Sequence, residues 1–84
     1  MDAKQTAQLY KSLTEALDKI KAAFPENYKE KLQPFMEAIE SENDKSGKGI
    51  IVTTIDMVEK SKNKGTVIGL MAACKLILTE DEGA

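Results

Sequence analysis

The sequence predicts an all-α protein, a compact bundle of four helices, or five, around a central and almost wholly apolar C-terminal helix. Three observations carry this. Thr66 to Leu78 reads T-V-I-G-L-M-A-A-C-K-L-I-L, with Lys75 its only charge in a chain that is 31% charged. A helix apolar nearly all round needs cover on every side. Second, the apolar residues of the first half recur at spacings of three and four, the helical period. Third, the one β-branched stretch, Ile50 to Val58, has no obvious strand to pair with.

Ala3 to about Phe24 forms the first helix. Tyr10, Leu13, Leu17, Ile20 and Phe24 make its seam, and Lys4, Lys11, Glu15, Asp18, Lys19 and Lys21 fall outside it. Pro25 ends this helix and is placed to open the next at its first turn, where a missing N–H costs nothing. Tyr28, Leu32, Phe35 and Ile39 continue the pattern. Pro34 sits in its middle and predicts a break or kink.

Ser41 to Gly49 (S-E-N-D-K-S-G-K-G) is the one linker, polar and with two glycines. Beyond it, β-branched propensity favours a strand. Ile51, Ile55 and Val58 nevertheless sit at i, i+4, i+7, and Lys60, Lys62, Lys64 and Gly65 make a helix C-terminus, so a third helix is expected. Thr66 is the expected cap of the last helix, which runs to about Leu78. Residues 1–2 and 79–84, the latter an acidic tail, are expected to fray. The core is expected from Leu13, Leu17, Ile20, Leu32, Phe35, Ile39, Ile51, Ile55, Val58, Val67, Leu70, Met71, Cys74 and Leu78.

With 84 residues the chain makes one domain. Such a domain buries only about 60% of its unfolded surface, so its margin is thin without a staple or a partner. Cys74 is the only cysteine, which removes an internal disulfide and fits a reducing compartment. The 12 basic residues, all lysine, face 14 acids for a net charge of −2. An acidic chain without arginine lacks the usual means of reading bases or binding a phosphate backbone, so no nucleic-acid partner is expected. The apolar run at 66–78 is shorter than the roughly 20 residues that span a bilayer, and no targeting segment is visible. A cytoplasmic protein without a membrane partner is the expectation.

Asp44 to Ile51 (D-K-S-G-K-G-I-I) resembles the opening of an EF-hand calcium loop: Asp44 matches the first place, Gly49 the sixth and Ile51 the eighth. The resemblance would make Asp44 and Ser46 metal ligands. It stops at Lys48 in the fifth place and Ile55 in the twelfth, where calcium needs oxygen and a bidentate glutamate. A glycine-rich interhelical turn is the stronger reading. Ser46-Gly47-Lys48-Gly49 also lacks the phosphate-loop spacing. Glu37, Glu40 and Asp44 share a helix face and read as solvated, and Lys45, Lys48, Lys60, Lys62 and Lys64 read as helix-end electrostatics. Cys74 has no histidine anywhere in the chain to activate it, and no nucleophile–base–orienter set can be assembled. No cofactor is expected.

These absences, with the surplus of apolar surface, point to a small non-enzymatic protein–protein interaction module. Adaptors, inhibitors and immunity-type proteins of bacteria or phage are of this kind. It would act through an apolar helical face, as a homodimer. Gly69 and Ala73, with Ala72 beside them, give the last helix a narrow face for close approach, and Val67, Ile68 and Met71 complete the expected interaction surface. The alternative is an ion- or ligand-binding helical domain built on the Asp44–Ile51 turn.

Overall fold

A computed structural model describes residues 2–83, with side chains described for 2–80. Its elements are four helices: α1 (Ala3–Ala23), α2 (Tyr28–Ser46), α3 (Ile50–Lys60) and α4 (Lys64–Gly83). No strand occurs among the described residues, and Ile50–Val58 is helical. The central position of the last helix holds. α4 packs against all three others, and α2 packs against α3. The backbones of α1 and α3 do not approach each other.

Local chemistry sets the ends. Asp2 caps α1 in a reciprocal box: the Gln5 N–H donates to its carboxylate (2.8 Å) and the Asp2 N–H donates to the Gln5 amide oxygen (3.2 Å). The end expected to fray at 1–2 is therefore tied down at Asp2; Met1 lies outside the described residues. Pro25 does not open α2. It lies in the turn at 24–27, and α2 begins at Tyr28.

The break expected at Pro34 does not occur, because α2 runs through it as one helix. Pro34 and Glu30 are both exposed, so the carbonyl that loses its N–H partner faces water, while Leu32, Met36 and Ile39 hold the opposite face in the core. An interior proline still costs a helix about 3 kcal/mol, offset by about 0.4–1 kcal/mol of unfolded-chain entropy. Pro34→Ala is therefore expected to stabilise the protein by about 2 kcal/mol, raising the thermal midpoint by about 10 °C. A lowered midpoint would mean that the proline seats Phe35 next to it.

The polar linker expected over 41–49 is mostly helix. Only 47–49 lie outside α2 and α3. Gly47 takes the left-handed conformation (φ 67°) that ends a helix, and its N–H donates to the Asn43 carbonyl at 2.7 Å. The Asn43 side chain then accepts the Gly49 N–H (2.8 Å) and the Thr53 hydroxyl (3.4 Å), which ties α2 to α3. At the start of α4 the cap is Asn63 rather than Thr66. Its side-chain oxygen accepts the N–H groups of Gly65 (2.8 Å) and Thr66 (3.2 Å). α4 also outlasts its expected end at Leu78, continuing through Gly83; Ala84 lies outside the described residues.

The core contains Leu13, Leu17, Leu32, Ile39, Leu70 and Cys74 as expected, and adds Ala16, Met36, Ala72, Ala73, Leu76 and Ile77. The helix that departs from expectation is α3. Its buried residues are Thr53 and Thr54, while Ile51, Ile55 and Val58 are only partly covered. The inward threonines are satisfied. The Thr54 hydroxyl donates to the Ile50 carbonyl at 2.8 Å, and the Thr53 hydroxyl meets Asn43 and Ser46. Hydroxyls with partners lose most of the penalty of burial.

An apolar cleft between the first and third helices

Because α1 and α3 stand apart over α4, a cleft of about 260 Å³ opens between them. Leu9 and Leu13 form one wall, and Ile51, Ile55 and Val58 form the other. Met71 and Cys74 of α4 make the floor. The only other lining groups are Thr54, whose hydroxyl is already bonded, and Glu59 at the rim. The isoleucine–valine stripe of α3, expected in the core, thus lines the cleft, although Ile51 and Val58 also pack against the core. Val52, next to Ile51 in α3, is 43% exposed, one of two large exposed apolar side chains among the described residues, the other being Phe24 just past the end of α1.

The chemistry on offer in this cleft is contact rather than reaction. Burial pushes the Cys74 thiol above its ordinary pKa, against smaller opposite pulls from the Thr54 hydroxyl and the Lys75 ammonium. A thiol so placed stays protonated and is a poor nucleophile. Lys75 lies over the Tyr10 ring, 5.6 Å from its centre, which fixes its charge at the α1–α4 junction.

The expected interaction surface is divided by the fold. Ala72 and Ala73 are fully buried, and Gly69 lies under Phe35, so the small-residue face serves a tight crossing within the chain. Val67 and Ile68 border a shallower depression of about 330 Å³ with Ser61 to Lys64. Met71 alone of the six reaches the cleft. Leu9 was missing from every expectation. The periodicity of Ile51, Ile55 and Val58 predicts a core face; Ile51 and Val58 do pack against the core, and all three also line the cleft. A wider hollow of about 590 Å³ beside α2 is lined by Pro34, Phe35, Met57 and Leu70, but Glu42, Lys60 and Thr66 share its lining and make it more polar.

Asp44 and Ser46 do not stand in a calcium-type loop. Both belong to the last turn of α2, Asp44 points to solvent, and the Ser46 hydroxyl accepts the Lys48 N–H at 3.3 Å. With α3 starting at Ile50, only three residues of the twelve-residue loop lie outside helices. Lys48 pairs with Asp56 at 3.4 Å and Lys45 with Glu42 at 3.8 Å, so two lysines of the expected cluster are engaged within the chain. Among the described residues no group of three or more Asp, Glu, Cys or His side chains is close enough to hold a metal ion. Among them also, no helix is long and apolar enough to cross a membrane.

Comparison with known proteins brings no match: no family model fits the chain, and neither a curated protein nor a solved structure is similar to it.

Proposed function

We propose that this protein is a non-enzymatic interaction module whose contact surface is the α1–α3 cleft. One observation carries the reading: α3 buries Thr53 and Thr54 while Ile51, Ile55 and Val58 stay only partly covered along the cleft. Burying hydroxyls while leaving Ile51 and Ile55 half-covered forfeits apolar burial, at about 25 cal/mol per Å². A folded chain recovers that loss when another molecule covers the stripe. The cleft fits side chains better than a large ligand. Its 260 Å³ compares with about 150 Å³ for a cavity that takes one benzene ring, so it holds roughly two aliphatic or aromatic anchors. Such anchors are how a partner helix seats itself in a groove. The metal-binding alternative at Asp44 and Ser46 gains nothing from the geometry, since both side chains lie on a helix.

Two solution properties test the reading together: the mass by light scattering, and the fluorescence of an anilinonaphthalene dye. An uncovered cleft binds the dye, and a covered one appears as an assembly of higher mass. Either result is expected under this reading. A protein that stays monomeric at every concentration and binds no dye would have no apolar face to offer, and the interaction reading would fail.

A further inference from the structure

We infer that the partner covering the cleft presents a basic amphipathic helix, seated by two apolar anchors and carrying a lysine or arginine beside Glu59. The inference rests on the proposed role of the cleft and names the chemistry of its occupant. The lining decides the mode of recognition. Adding a strand to a sheet edge is one recurring way to hold a peptide, and no strand occurs among the described residues. Polyproline segments dock in aromatic-lined grooves, and no aromatic side chain lines this cleft. Phosphorylated and acidic segments are held by arginine clusters, and the chain has no arginine. A helix laid in a groove asks only for apolar walls of matching length.

The walls have that length. Ile51 and Val58 bound the α3 wall and lie seven residues apart in one helix, so the wall runs for about 10 Å. Two anchors four residues apart on a partner helix span about 6 Å and fit within it. Met71 lies beneath them on the floor, and its unbranched side chain adapts to either an aliphatic or an aromatic anchor.

Charge sets the flank. Glu59 is the only charged residue that lines the cleft, and it follows Val58 at one end of the wall. It makes no ion pair among the described residues. The lysines nearest in sequence line other surfaces: Lys60 borders the hollow beside α2, and Lys62 and Lys64 border the depression at Val67 and Ile68. A cation one turn beyond the anchors therefore meets an unpaired carboxylate, and an acidic residue there is repelled. The carboxylate is exposed, so it selects among partners more than it adds affinity.

The probe is a labelled, alanine-rich helical peptide with two leucines four residues apart and a lysine one turn beyond them. It is titrated with the full chain and read by fluorescence anisotropy. Replacing its lysine by glutamine should weaken binding about two- to fivefold, and glutamate should weaken it by a similar factor again. High salt should narrow these differences. Glu59→Lys should reverse the order, so that the glutamate peptide binds best. Glu59 is exposed, and this variant should keep wild-type helicity by circular dichroism. Binding that ignores the peptide's charge, or keeps its order in Glu59→Lys, would overturn the inference. If no peptide binds up to millimolar concentration while the dye does, the inference fails and the cleft remains a site for another occupant. A dimer that excludes both peptide and dye would overturn it in favour of a second copy. A monomer that binds neither would end both readings.

Discussion

Ile39→Ala is expected to cost about 2–5 kcal/mol of folding stability. Ile39 is fully buried, at 0% exposure, on the face of α2 that meets the central helix. Its removal deletes both the transfer energy of the lost methyl groups and the contacts around the space they leave. For a domain of this size total stability is on the order of 5–10 kcal/mol, so the variant loses a large fraction of it. Urea denaturation measures the effect. A loss below about 1 kcal/mol would mean that this part of the core collapses to fill the gap, against the close packing argued here.

Gly69→Leu should be less damaging, costing up to about 2 kcal/mol, and Phe35→Ala should rescue it. A Cβ built on Gly69 would stand 2.6–2.9 Å from the far atoms of the Phe35 ring, closer than atoms can pack. Leucine improves helix propensity by somewhat under 1 kcal/mol, yet overpacking costs about 1–3 kcal/mol, so the net change is destabilising. In the double variant the leucine takes up space the ring has vacated. A double-mutant cycle should therefore return a favourable coupling of about 0.5–3 kcal/mol. Additive losses would show that ring and glycine do not meet, and the tight α2–α4 crossing would have to be redrawn.

The central helix was legible because Thr66–Leu78 has almost no polar side to present to water, a property independent of its neighbours. The α1 seam was legible for the related reason that one face is apolar and the rest charged. The orientation of α3 was not. A period of 3.6 identifies which residues share a face, but burial of that face depends on what the other helices leave room for. Thr53 and Thr54 turn inward at little cost because Ile50, Asn43 and Ser46 supply partners, and those partners are visible only in three dimensions. The same holds for Pro34, where a local rule predicts a break or a kink and the packing of Leu32, Met36 and Ile39 keeps the helix continuous. The candidate site was half legible as a result. Its apolar stripe is legible, and Ile51 and Val58 do pack against the core, but the stripe's partial exposure to the cleft is not; the small-residue face of α4 is an internal crossing. Asn43 and Asn63 carry a local signal for the two junctions, since asparagine suits both helix caps and turns.

Placing the hub of the bundle last in the chain has a consequence for the order of folding. α1 rests mainly on α4 and only slightly on α2, so during synthesis from the N-terminus the first helix emerges well before the surface it needs. Until residues 64–83 leave the ribosome, Leu13, Ala16 and Leu17 have little to bury against, and an amphipathic helix such as α1 draws most of its stability from that packing. The packing of α1 then forms late, by closing the longest sequence separation in the molecule, which slows folding relative to a bundle whose neighbouring helices pack in order. The interval leaves an apolar helix face open to chaperones or to another nascent chain.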